Sequence, residues 1–266
     1  MKIGKYIDVL KLSIRNKLEY RFNTFMGFVS RLIFFVTLYA LWSKVYETTG
    51  DVKGLSFEEM ISYTLLAIVV SSLVDTNIGK VAYKQIKDGE VSVFLIRPLN
   101  FITYHLFSGL GVFIFESVMA LFVLIVMLNF LPGVRYLVEL PRLISFALAL
   151  VAANIIYTQL YLVVGILAFW IKEGKFLLQI VKKLVKFLAG GYIPIALFPI
   201  GLQKMLNYLP FTATIYFPTK ILVDSSLTNS DLFNTILTQT VWIFVLLLIN
   251  NILWRQGIKK YESVGI

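Results

Sequence analysis

The chain has 266 residues, of which 58% are hydrophobic and only 15% charged, and its mean hydropathy is +0.81. Soluble domains run at about 45–50% apolar and about 25% charged, so this balance excludes an ordinary soluble globule and describes an integral membrane protein, with little length left for an appended soluble domain. A formal net charge of +10 would suggest nucleic acid in a soluble protein; here it is read by where it falls along the chain, and nucleic acid is not an expected partner.

Residues 3–21 form the first predicted element. Ile3, Tyr6, Ile7, Leu10, Ile14 and Leu18 recur at helical spacing, with Lys5, Asp8, Lys11, Arg15 and Glu19 on the opposite side. A basic amphipathic helix of this kind lies in a membrane interface; the alternative is a helix packed on a partner. The basic stretch runs to Arg21 without a small-residue cleavage site, so it is not a cleavable signal peptide.

Six apolar spans are predicted next, at roughly 22–46, 58–78, 101–131, 142–171, 176–193 and 232–254. Between the second and third, Lys80–Asn100 reads as a short helix carrying Val81, Ile86 and Tyr83 on one face and Lys80, Lys84 and Lys87 on others. Asp88-Gly89 is its stop, and Arg97-Pro98 ends the extended stretch that follows. Such a helix between spans suits a membrane domain that receives force from a soluble motor; a solvated loop is the alternative. In span four, Ser145, Ala149 and Ala153 make a small-residue face that permits close helix approach, within the chain or between subunits, and Asn154 and Gln159 add polar groups.

The stretch Gly190–Pro218 is apolar enough for a bilayer but is interrupted by Pro194, Pro199, Pro210 and Pro218. Each proline removes a backbone donor and disfavours helix before it. Broken backbone at membrane depth survives where protein buries it or where it lines a wet cavity, so this segment suggests a path or a gate. Basic residues then orient the chain. Lys2, Lys5, Lys11, Arg15, Lys17 and Arg21 precede span one, Lys80, Lys84, Lys87 and Arg97 follow span two, Lys172–Lys186 surround the start of span five, and Arg255, Lys259 and Lys260 follow span six. The positive-inside rule puts these segments and both termini in the cytoplasm, and the proline-broken segment outside.

Candidate chemistry is sparse. The absence of cysteine excludes a disulfide framework, thiolate metal sites and thiol nucleophiles, and the single histidine, His105, supports neither a histidine metal cluster nor a Ser–His relay. His105 reads as a capping or interfacial residue. No P-loop occurs, so no cofactor is expected on this chain. Arg31, Asp75 and Glu116 are ionisable groups at membrane depth, where such groups are costly and often functional. Arg31 with Glu116 or Asp75 would make a structural pair; Glu116 alone would suit a proton or cation site. These residues leave open an ion-coupled secondary transporter or channel using Glu116, or a membrane-embedded lipid-modifying enzyme built on Asp75, Glu116 and His105.

Four passages resemble a known group: LEYRFN (Leu18–Asn23), DGEVSVFLIRPLN (Asp88–Asn100), GGYIPIALFPIGLQKMLNYLPF (Gly190–Phe211) and LWRQGIKKYESVG (Leu253–Gly265). With the span order, they make the whole chain similar to a permease subunit of a type-2 ABC transporter, in the branch of ABC-2 family transporter proteins. The resemblance implies an all-α fold of six transmembrane helices, with residues 3–21 as an elbow helix. It implies a coupling helix within 80–98, where Lys84, Gln85, Ile86, Lys87, Asp88, Gly89, Glu90 and Arg97 meet an ATPase. It also implies an outer re-entrant gate at 190–218 with Gly190, Gly191, Pro194, Pro199 and Pro210. The implied partners are two cytoplasmic ABC ATPases, which hold ATP and Mg, and a second permease, identical or related. The implied activity is export of a hydrophobic or amphiphilic substrate across a bacterial or archaeal cytoplasmic membrane.

Overall fold

The structure, a computed structural model, describes residues 3–96, 99–130, 136–137, 139–171 and 174–262. Its elements are helical throughout, with no strand among the described residues. In chain order they are α1 (Gly4–Glu19), α2 (Arg21–Thr49), α3 (Phe57–Val74), α4 (Ile78–Lys87), α5 (Ser92–Ile96), α6 (Phe101–Phe130), α7 (Leu140–Ile166), α8 (Lys175–Leu188), α9 (Ile200–Asn207), α10 (Tyr216–Val223) and α11 (Asn229–Glu262).

Local chemistry sets several of these boundaries. Ser56 and Glu59 form a reciprocal capping box at the head of α3, and Thr228 and Asp231 exchange the same kind of bonds before α11. The Asn100 side chain accepts from the Thr103 N–H at 2.9 Å and opens α6. Pro141 lies in the first turn of α7, where its missing N–H costs nothing. Pro218 does the same in α10, so it lies inside that helix and does not interrupt the segment as its sequence position suggested.

Among the described residues, five stretches are long and apolar enough to cross a bilayer: Thr24–Thr49, Phe57–Lys87, Phe101–Ala120, Leu140–Phe169 and Asn229–Tyr261. The expected fifth span, 176–193, is not among them. In its place stands α8, 14 residues long, or about 21 Å at 1.5 Å per residue, against a hydrocarbon core of about 30 Å. Lys182, Lys183 and Lys186 fall inside it, which makes it amphipathic where a lipid-facing span would be uniformly apolar.

α7 is the centre of the bundle and packs on α11, α4, α6, α10, α3 and α8. Ala149 and Ala153 on α7 are completely buried in the core shared with α3, so the small-residue face serves packing within the chain. Across the α7–α11 seam, the Gln239 side-chain amide donates to the carbonyls of Ala149 (3.1 Å) and Ala213 (2.8 Å), and Asn250 donates to that of Gln159 (3.1 Å). α1 runs lengthwise beside the first half of α6. The Asn100 N–H donates to the Tyr6 hydroxyl at 3.1 Å, Ser13 bonds Ser108 at 2.8 Å, and Lys17 reaches Glu116. Its buried face is Tyr6 and Val9, while Ile3, Ile7 and Leu18 stay exposed. The seam with α6 is shifted from the predicted apolar stripe because Gly111 and Ser108 let the Leu10–Ser13 turn come close there.

The bundle has two ends. Trp254 stacks on Phe101 at 4.0 Å and the Tyr261 hydroxyl donates to the Gly89 carbonyl at 3.3 Å, so the start of α1, the α4–α5 turn and the end of α11 share one end. The opposite end carries Lys53, Glu139 and the α9–α10 hairpin. There Lys53 donates to the carbonyls of Leu197 (3.0 Å) and Phe198 (3.2 Å), and the Leu137 N–H to that of Leu222 (2.9 Å).

Candidate functional site

At the end that holds the termini, α4 and α5 form a platform. Ile78, Gly79, Ala82, Tyr83 and Ile86 are the buried face of α4. Val81, expected on that face, is 43% exposed, because Gly79 and Ala82 are the residues small enough to lie on α7. The two backbones nearly touch: a Cβ at Gly79 would strike the Tyr161 carbonyl, and one at Gly165 would lie 2.6 Å from the Gly79 carbonyl. The Gly174 N–H donates to the Tyr83 hydroxyl at 2.7 Å, which ties α4 to the head of α8. Asp88 closes the helix and Gly89 turns the chain at φ 77. Lys80, Lys84, Lys87 and Asp88 face outward, as do Glu90, Val93, Leu95 and Ile96, the last 85% exposed. Gln85 is half-buried and Ile86 buried against the bundle. Arg97 and Pro98 lie outside the described residues.

At the opposite end, Pro194 and Pro199 each precede a short helix, a 3-10 turn at Ile195–Leu197 and α9, and Pro210 lies in the turn between α9 and α10. Gly190 has φ 78, and the Tyr63 hydroxyl donates to its carbonyl at 2.9 Å; a Cβ there would lie 2.6 Å from the same oxygen. Gly191 is buried against Lys186 and Ile215. Pro194, Tyr63 and Tyr216 border a cavity of about 180 Å³. Arg142, in the first turn of α7, holds this hairpin down. The residue is 7% exposed, and its guanidinium donates to the carbonyls of Ile221 (3.0 Å) in the last turn of α10 and of Asp224 (2.8 Å), Leu227 (3.0 Å) and Ser225 (3.4 Å) beyond it. Partial burial opposes ionisation of Asp224. Its hydrogen bonds from the Ser226 hydroxyl and N–H, with the Lys220 ammonium, outweigh that and hold the carboxyl below its ordinary value.

Between the two ends lies a cluster of charges. Glu116, with its side chain 5% exposed, receives Lys17 on one carboxylate oxygen at 2.8 Å and Arg31 on the other at 3.3 Å. The Arg31–Glu116 pair is thus one of the two the sequence allowed; Lys17, on the polar side of α1, is a partner the sequence reading missed. Asp75 pairs with Lys182 of α8 and accepts from the Tyr157 hydroxyl at 3.4 Å. Lys186, one turn beyond, lies over the rings of Tyr192 (4.9 Å) and Phe34 (5.6 Å). The spacing of Lys182 and Lys186 along one side of α8 was the available signal.

His105 does not cap α6. It is fully buried among Phe101 (4.4 Å between ring centres), Tyr104 (5.2 Å) and Phe94 (6.2 Å), and neither ring nitrogen has a partner among the described residues. Asp75 and Glu116 border one polar cavity, each paired with a basic side chain, while His105 is buried apart from them.

An all-helical bundle with a basic platform at one end and a proline-broken hairpin at the other narrows the identity, and comparison narrows it further. Curated proteins provide no match. The family model described as ABC-2 family transporter protein matches residues 32–265. The chain belongs to that family, and is a multi-pass membrane component of an ABC transporter of the kind that works with an ATPase partner.

Proposed function

We propose that the chain is the transmembrane subunit of an ATP-driven exporter that moves a hydrophobic or amphiphilic substrate, drug-like, peptide or lipid, out of the cytoplasm or its inner leaflet. It works with a second permease, identical or related, and with two ATPase subunits that hold ATP and Mg. It resides in a bacterial or archaeal cytoplasmic membrane with both termini in the cytoplasm. Six crossings follow if α8 counts as the fifth. It runs from Gly174, beside Tyr83 at one end, to the Gly190 turn, beside Tyr63 at the other, and the irregular residues after it complete the distance under cover of protein.

The observation that carries the reading is the α4–α5 platform. One face of α4 is locked into the bundle, while Lys84, Lys87, Leu95 and Ile96 stand exposed beside it. An apolar knob rimmed by charges is what a soluble partner needs for docking. The ion-coupled alternative requires Glu116 to be free for a cation, and Lys17 and Arg31 occupy both its oxygens.

The test places charge on the knob. Leu95→Asp with Ile96→Asp should leave membrane insertion and thermal stability unchanged, lower co-purification of the ATPase, and reduce transport-linked ATP hydrolysis at least ~10-fold, the cost of one lost anchor of about 1.4 kcal/mol or more. Coupling at the parent level in that variant would sink the assignment of this platform.

A further inference from the structure

Two cavities meet at Thr24 and Arg31, which border both. One, of about 310 Å³, is almost wholly apolar and runs between α2, α3 and α6 past Phe28, Leu65, Val69 and Phe115. The other, of about 340 Å³, is polar and bordered by Lys17, Arg31, Glu116, Asp75 and Asn16. In the triad at their junction two cations face one carboxylate, while Asp75, which also borders the polar cavity, is paired with Lys182, and Lys186 lies one turn further along α8. The polar side therefore carries surplus positive charge, and Lys17 and Arg31 keep about a third of their side chains exposed (32% and 37%) with donor capacity left over.

We propose that the paired cavities bind one anionic amphiphile, a membrane phospholipid with a phosphate-diester headgroup, its phosphate on Arg31 and Lys17 and an acyl chain in the groove beside Phe28 and Leu65. Charge complementarity selects the headgroup, since a cationic or zwitterionic amphiphile would meet the surplus cation without neutralising it. The groove supplies shape rather than a hydrophobic gain, because an acyl chain entering from the bilayer leaves hydrocarbon and not water. α2 is the least embedded of the long helices, which leaves the groove a side entrance from the bilayer. The proposal rests on the exporter reading only in treating the occupant as cargo; binding itself does not depend on it.

The test uses the full chain in phosphatidylcholine nanodiscs, titrated with pyrene-labelled phosphatidylglycerol or phosphatidylcholine and read by energy transfer from tryptophan. One surplus charge near the headgroup predicts a preference of about fivefold for phosphatidylglycerol. Arg31→Gln leaves the Lys17–Glu116 pair intact and removes the surplus of the triad, leaving only that of Lys182 and Lys186 at Asp75, so the preference should fall well below the parent's. Arg31→Gln with Glu116→Gln leaves Lys17 uncompensated and should restore it, which a merely structural role for the triad would not do. Thr24→Phe, which fills the junction without adding an energy donor, should reduce binding of both lipids at least ~10-fold. No preference in the parent chain, an unchanged preference in Arg31→Gln, no recovery in the double variant, or displacement of the lipid by inorganic phosphate alone each overturns the proposal. The assay contains no ATPase, so its failure leaves the exporter reading standing, and a chain that binds the lipid but never associates with an ATPase would reverse that outcome.

Discussion

Replacing Arg142 by methionine keeps the length of the side chain and removes every donor. Three of its four bonds to carbonyls, at 2.8, 3.0 and 3.0 Å, have full-strength lengths, and the fourth, at 3.4 Å, is marginal. Three hydrogen bonds to a charged group total about 5–9 kcal/mol gross. Against that, a guanidinium no longer has to be stripped of water, which recovers several kcal/mol. Asp224 and Leu227 are half-exposed, so water takes over their carbonyls; Ile221 is fully buried, and its orphaned carbonyl costs about 1–3 kcal/mol. The net expectation is a loss of about 2–4 kcal/mol, confined to the α10 end of the hairpin. The chain has no cysteine, so a single Leu222→Cys thiol, buried at 7% exposure for the native leucine, reports local opening by its maleimide labelling rate. Arg142→Met should speed labelling about 30- to 1,000-fold, and Arg142→Lys should fall between it and the parent, because an ammonium cannot fork to several carbonyls. A rate within about threefold of the parent would refute the view that Arg142 holds the hairpin.

Gly79→Ala should cost about 1–3 kcal/mol by overpacking against the Tyr161 carbonyl, seen as a lower thermal midpoint, whereas Gly201→Ala, which meets open space, should leave the midpoint unchanged. Glu116→Gln should cost about 1–2 kcal/mol by leaving Lys17 and Arg31 to repel each other, with Lys17→Gln added in the same chain recovering most of it; transport lost without loss of stability would instead make Glu116 an ion site. Single cysteines at the exposed positions Lys84 and Ser230 should label from opposite faces of sealed vesicles, Lys84→Cys from the cytoplasmic face, and labelling from one face would overturn the proposed orientation.

The sequence was most legible where one physical signal dominated. Apolar length located α2, α3, α6, α7 and α11, and Asp88-Gly89 marked the end of α4. Length and pattern disagreed in α8, whose apolar content suggested a span while its lysines described an amphipathic helix. The Arg31–Glu116 pair could be named from residue type alone. Lys17 and Lys182 could not, because each is an ordinary basic residue until the fold sets α1 beside α6 and brings α8 to Asp75 at the end of α3. Arg142 was invisible for a similar reason: its acceptors are backbone carbonyls about 80 residues away, and backbone carries no sequence signature.

The clamping of α4 has a mechanical consequence. It is pinned on three sides: by the Gly79–Gly165 seam to α7, by Tyr83 under the head of α8, and through the Gly89 turn by Tyr261 at the foot of α11. A close-packed interior compresses little, so a load applied at α5 finds no slack and passes into α7, α8 and α11 together. α2 rests chiefly on α3 and lies apart from that seam. The bundle is therefore a stiff block beside a lightly attached wall, and any displacement imposed at the platform would be relieved by sliding along the face where α2 meets α3.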